Sequence, residues 1–182
     1  MADTQRTLSA LLTLLADNST GAVGEGDIRD LLVSLAPEYA IMSFSSTAET
    51  SVATVNTALK CSGTTADTAS STNMTVATTN RITYDGTPDV IAFFFAAISM
   101  TAAGNNKVTS WYFAENGTKI AATRTQRKIG TGADIGSAMI IGCTTLSTDD
   151  YIELWCENNT DDTNMTVELA SPVMLLTFMK AA

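Results

Sequence analysis

The spacing of apolar residues changes character near residue 37. Between Thr7 and Leu15, residues Leu8, Leu11, Leu12 and Leu15 recur on one helical face, and Asp17-Asn-Ser-Thr-Gly21 ends the pattern with turn formers. A second stripe of Ile28, Leu31, Leu32 and Leu35 predicts a helix over 25–35. Glu25 and Asp27 suit its positive first turn, and Pro37 blocks its continuation. Residues 1–36 therefore read as a short helical hairpin, and residues 37–182 as a separate all-β region.

Beyond residue 37 the period becomes two. Tyr151-Ile-Glu-Leu-Trp155 alternates cleanly, with Ile152 and Leu154 on one face and Tyr151, Glu153 and Trp155 on the other. Further strands are predicted at Ile41–Phe44, around Met74–Val76 and Ile82–Tyr84, at Met139–Cys143, at Asn164–Leu169 and at Val173–Phe178. Asn116-Gly117 suits a type I′ turn joining 108–114 to 118–125, which would pair Phe113 with Ile120 and Trp111 with Ala122. The small, polar stretch Ser62–Thr72 reads as a surface loop.

Val90–Met100 breaks the usual rule for an antiparallel strand. Val90, Ala92, Phe94, Ala96, Ile98 and Met100 form one face, but Ile91, Phe93, Phe95 and Ala97 make the other face apolar too. Such a strand lies either beneath extra cover within its own chain or at a subunit interface. The helical pair poses the same choice. Neither helix is long enough to be stable alone, so the leucine faces either cap the β domain or dock on another chain.

Composition narrows the function. The chain has 182 residues, a 45% hydrophobic and 16% charged make-up and a formal net charge of −9, which opposes binding to nucleic acid. No apolar run reaches the roughly 20 residues of a membrane-spanning helix, and the N-terminus lacks a signal-peptide pattern, so synthesis in a cytoplasm is expected. Three cysteines, Cys61, Cys143 and Cys156, are an odd number and imply no disulfide framework. A hairpin at Ser147–Asp150 would bring Cys143 and Cys156 near each other only in one register.

Candidate chemistry is sparse. The sequence contains no histidine, which removes the commonest general base and most zinc sites. Gly21-x-x-Gly24-x-Gly26 lacks a P-loop lysine and a preceding strand. Asp149-Asp150 and Asp161-Asp162 sit at opposite ends of one strand and match no calcium loop. The expectation is a binding protein that is not an enzyme, with no metal and no cofactor.

Two stretches carry resemblances. The Trp111-Tyr-Phe113 strand, the Asn116-Gly117 turn, the segment Ile140–Leu146, the turn Ser147-Thr-Asp-Asp150 before Tyr151–Trp155, and the apolar final strand Val173–Phe178 together resemble a C1q/TNF-like jelly roll. That resemblance implies a single antiparallel β-sandwich that forms a homotrimer. Ile91, Phe93, Phe95, Tyr151 and Trp155 are the candidates for the trimer interface.

The second resemblance lies in the helical hairpin. Leu11-Leu-Thr-Leu-Leu-Ala-Asp-Asn-Ser-Thr-Gly21 followed by Asp27-Ile-Arg-Asp-Leu-Leu-Val-Ser-Leu35 is similar to the N-terminal segment of tailed-phage virion proteins, with Val23-Gly-Glu-Gly26 where that pattern has a capping serine. It implies a virion structural protein whose arm, through Leu8, Leu11, Leu12, Leu15, Ile28, Leu31, Leu32 and Leu35, binds the major capsid protein or another virion protein. The combined expectation is a capsid decoration or cement protein. The alternative is a tail-fibre or receptor-binding protein touching a host glycan or protein through loops such as Ser62–Thr72 or Asn158–Asp162.

Overall fold

The computed structural model describes residues 6–16, 24–132 and 134–179. Two helices, α1 (Leu8–Ala16) and α2 (Glu25–Leu35), precede the strands β1 (Tyr39–Phe44), β2 (Glu49–Thr50), β3 (Leu59–Lys60), β4 (Thr65–Ser70), β5 (Met74–Ala77), β6 (Arg81–Tyr84) and β7 (Val90–Ala102). Then follow β8 (Lys107–Glu115), β9 (Thr118–Lys119), β10 (Thr125–Ile129), β11 (Gly136–Leu146), β12 (Tyr151–Asn158), β13 (Met165–Val167) and β14 (Pro172–Met179). The turn at residues 17–21, predicted from its composition, lies outside the described residues.

The strands form two antiparallel sheets that face each other. Sheet one runs β11-β7-β14-β1-β4, with β13 and β2 extending it beside the far end of β7. Sheet two runs β10-β8-β12-β6-β5, with β3 and β9 as short additions. The period-2 residues meet between them: Met42, Phe44, Phe94, Ile98, Ile140 and Leu175 from sheet one pack on Ile82, Tyr84, Trp111, Phe113, Ile152 and Leu154 from sheet two. The rings of Phe94 and Phe113 touch across the gap at 4.7 Å, edge to face.

Several local expectations hold for a visible physical reason. Asn116 and Gly117 both adopt positive φ, at 50° and 72°, as a type I′ turn requires. Thr7 caps α1 by accepting the Ala10 N–H at 3.2 Å. At α2 the N-cap is Gly24, and the Asp27 carboxylate reaches back to accept the Gly24 N–H at 2.9 Å.

Other expectations need correction. Ser62–Thr72 is not a loop, because its centre is β4, paired with β1 at the edge of sheet one. Small polar residues at a solvent-facing edge give no apolar alternation to detect. The 118–125 strand is interrupted by a 3-10 turn at Ala121–Thr123. Ile120 still donates to the Phe113 carbonyl at 2.8 Å, but the inserted turn moves the partner of Trp111 from Ala122 to Thr125. The register left open for Cys143 and Cys156 does not occur: β11 and β12 lie in different sheets, Cys143 points outward, Cys156 and Cys61 are buried, and all three thiols are free.

One buried amide closes a gap in sheet two. On the side of β12 facing β6 and β3, β6 pairs as far as Ile152 and β3 begins at Trp155, which leaves Leu154 between them. Asn80 fills the space. Its side chain accepts the Leu154 N–H at 3.1 Å and donates to the Leu154 carbonyl at 2.8 Å, imitating a strand neighbour. It also donates to the Cys61 carbonyl at 3.1 Å. Asn80 is fully buried with φ at 56°, a conformation asparagine tolerates better than most residues. Replacing Asn80 with Ala leaves buried backbone groups without partners and should destabilise the fold by about 2–4 kcal/mol. Denaturant unfolding of N80A against the wild type measures this, and a change below about 1 kcal/mol would show that the amide is dispensable.

Candidate functional site: an apolar sheet face and a helical arm

The pleat of β7 sends its two apolar faces in opposite directions. Val90, Ala92, Phe94, Ala96, Ile98 and Met100 enter the core, while Phe93 and Phe95 remain 39% and 37% exposed on the outside of sheet one. Neighbouring strands bring more apolar side chains to the same surface. Register pairs form rows across it: Ile141–Phe95–Met174–Ile41, then Cys143–Phe93–Leu176–Tyr39, then Ile91–Phe178. Met139 adds to the surface beside Ala97.

Met139 and Ile141 are 69% and 62% exposed, and Phe178, 45% exposed, meets Phe93 edge to face at 5.8 Å. Four adjacent strands thus present one apolar surface, a larger patch than scattered surface hydrophobics produce. Of the expected interface residues, Ile91, Phe93 and Phe95 lie on it. The contributions of Met139, Ile141 and Phe178 were hidden in the sequence because β11 and β14 join β7 from distant chain positions.

Tyr151 and Trp155 do not join them. They lie on the outer face of sheet two, on the other side of the sandwich, so the five residues expected at one interface divide between two surfaces. Alternation along β12 placed both rings on its non-core face but carried no information about which sheet β12 enters.

That second surface is ionic. Glu153, 2% exposed, accepts from Lys60 Nζ at 2.7 Å, Arg81 Nη2 at 3.1 Å and Trp155 Nε1 at 3.1 Å. Two residues on, Glu157 accepts from Lys119 Nζ at 3.2 Å, Tyr112 Oη at 3.1 Å and Asn159 Nδ2 at 2.5 Å. Burial pushes both carboxyls upward, but the lysines and the other donors around each outweigh it and hold both below the usual glutamate range.

The acidic pairs of the flanking loops serve as turn residues. Asp149 has φ at 69°, and Asp150 accepts the Ser147 N–H at 2.7 Å and an Asn116 amide N–H at 2.6 Å. Asp161 pairs with Lys107, whose ammonium is the main reason its carboxyl falls to about 2. Among the described residues no group of three or more histidine, cysteine, aspartate or glutamate side chains is placed to hold a metal.

The helical arm has its polarity inverted. Along α2, Asp30 and Ser34 are the buried positions, while Ile28, Leu32 and Leu35 stand 45%, 64% and 55% exposed. A polar network holds this orientation. Arg6 donates through Nε to Asp30 at 2.8 Å and through its backbone N–H to Ser34 Oγ at 2.8 Å, and Ser34 Oγ donates to the Asp30 carbonyl at 2.6 Å. Leu31 is half-buried. In α1, Leu12 is 59% exposed but Leu11 is 1% exposed, so Leu11 packs within its own chain and is corrected from docking residue to support. Leu8 and Leu15 belong to α1, and their side chains lie outside what is described. α2 also touches β14, an interior strand of sheet one flanked by β7 and β1.

No family model matches the sequence, and no curated protein matches it in sequence. Its fold does match solved structures. Murine APRIL at pH 5.0 superposes with a TM-score of 0.56 at 9% identity, covering 79% of this chain and 100% of that one. Eiger TNF from S. frugiperda superposes with a TM-score of 0.53 at 10% identity, covering 81% of this chain and 96% of that one. The fold is a TNF-like jelly roll.

The ion pairs on sheet two give a test. Because the Glu153 carboxyl is held low in the folded chain, its contribution is present above the unfolded value near 4.5 and is lost as pH falls through the folded value. Glu153→Gln should therefore cost about 1–3 kcal/mol at pH 7 and progressively less below pH 4.5. Urea unfolding of both proteins from pH 7 to pH 3 checks it, and a parallel offset across that range would mean the carboxylate charge contributes nothing.

Proposed function

We propose that the chain is a homotrimeric virion structural protein, a decoration or cement protein of a phage capsid, that works by binding and carries no enzymatic activity. The observation that carries this reading is the apolar outer face of sheet one. Rows of large side chains centred on Ile91, Phe93 and Phe95 need cover, and a second and third copy of the same surface supply it in a closed assembly. The C1q/TNF-like resemblance supports three as the number. The arm supports the second half of the reading, since its likeness to phage virion proteins joins an inverted polarity that turns Leu12, Ile28, Leu32 and Leu35 outward. These would grip the major capsid protein or another virion protein and add buried area that stabilises the shell.

Light scattering on the purified protein should give the mass of three chains. Phe93→Glu combined with Ile141→Glu should weaken assembly at least ~100-fold, about 3 kcal/mol, and yield a folded monomer. Removing residues 1–36 should leave the trimer intact and abolish binding to the particle. A monomeric wild type would overturn the trimer. Electron microscopy of labelled particles should place the chain on the capsid exterior, and a location only at the tail tip would replace the cement reading with the receptor-binding one.

A further inference from the structure

The outer face of sheet two carries features that neither trimer formation nor the arm uses. Trp155 and Tyr151 are partly exposed there, four residues apart on β12, with Glu153 between them on the same face. Trp155 is flanked across the sheet by Lys60 on one side and Tyr112 on the other. Lys119 lies over the Tyr112 ring at 4.6 Å, and Arg81 over the Tyr151 ring at 3.7 Å. The buried carboxylates of Glu153 and Glu157 fix these cations, yet the Lys60, Arg81 and Lys119 side chains keep 31%, 38% and 35% of their surface exposed. An ammonium carries three N–H donors and a guanidinium five, so pairing with a carboxylate leaves each with donors to offer.

Lys119 also lines a shallow depression of about 300 Å³ with Glu115, Asn116, Thr118 and Ile120. That volume is at the lower end for a small-molecule site. The face therefore combines a pre-set aromatic platform, donors whose conformations are already fixed, and an adjoining polar recess.

We propose that this face is a binding site for a neutral saccharide, with the Trp155 indole as the stacking platform and Lys60, Arg81 and Lys119 as donors to the sugar hydroxyls. A pyranose ring offers an apolar C–H face that can stack on an indole and hydroxyl oxygens at its rim that can accept from lysine and arginine N–H groups. A protein partner fits less well, because lysine and glutamate are depleted from the cores of protein interfaces. A nucleic acid is opposed by the net charge of −9. Three cations around two carboxylates leave little net field, which suits an uncharged ligand. Because the surface lies across the sandwich from Phe93 and Phe95, the site stands whether or not the trimer and virion readings do.

The test is an array of neutral hexose oligosaccharides and bacterial surface polysaccharides probed with the full chain, followed by titration of the best binder. Expected is a Kd of about 1 mM or tighter for at least one neutral saccharide. Trp155→Ala should weaken it at least ~tenfold, while Trp155→Phe, which keeps a ring, retains most of it. In the ¹H–¹⁵N spectrum the Trp155 indole N–H should shift on titration. The Trp111 indole, buried and bonded to Thr109 Oγ1 at 2.9 Å, should stay put and reports on the fold. The proposal is overturned if no neutral saccharide binds, if Trp155→Ala binds as well as the wild type, or if binding is confined to polyanionic chains and vanishes with salt.

Discussion

Phe94 ties the two sheets together. Its ring lies over Gly142, its register partner on β11, where a Cβ would fall 1.9 Å from the ring, and it meets Phe113 of the opposite sheet edge to face. A glycine in a strand interior is normally a weakness, but here it makes room for an aromatic ring. With Phe94 committed inward, the pleat leaves Phe93 and Phe95 no choice but to face outward. The apolar surface of sheet one follows from that packing and not from any separate local signal.

The sandwich is consequently asymmetric. One outer face is apolar from β11 to β1, and the other is a lattice of ion pairs built on Glu153 and Glu157. Each solves a different physical problem. The apolar face leaves large side chains exposed to water, whereas the ionic face holds its carboxylates nearly dry by supplying Glu153 and Glu157 with donors. Buried ion pairs contribute modestly to stability once desolvation is counted, but removing one partner is expensive, so such a network fixes side-chain positions more than it strengthens the fold. Fixed side chains beside a partly exposed indole are what a recognition surface requires.

The arm obeys the same logic with the opposite sign. α2 buries Asp30 and Ser34 because Arg6 and the helix backbone satisfy them, and this choice turns the leucine stripe away from the domain. The stripe was plain in the sequence. Its direction was not, because a helical moment says which residues share a face and nothing about which way the face points.

Much of the scaffold was legible from residue order. Both helices, most strands and the Asn116-Gly117 turn follow from local periodicity and from turn residues with special φ requirements, while the sandwich class rests on the C1q/TNF-like resemblance. Other features escaped it. β4 was missed because an edge strand of threonine and serine has no apolar alternation, and Asn80 because a polar residue after a turn looks like any other loop residue until it is found bonded to Leu154. Tyr151 and Trp155 were grouped with Phe93 because alternation within a strand is a local property, while membership of a sheet depends on pairing between residues far apart in the chain. Sequence alone determined which side chains leave each strand together; only the tertiary structure decided which strands stand side by side, and hence that this protein has one apolar face and one ionic face.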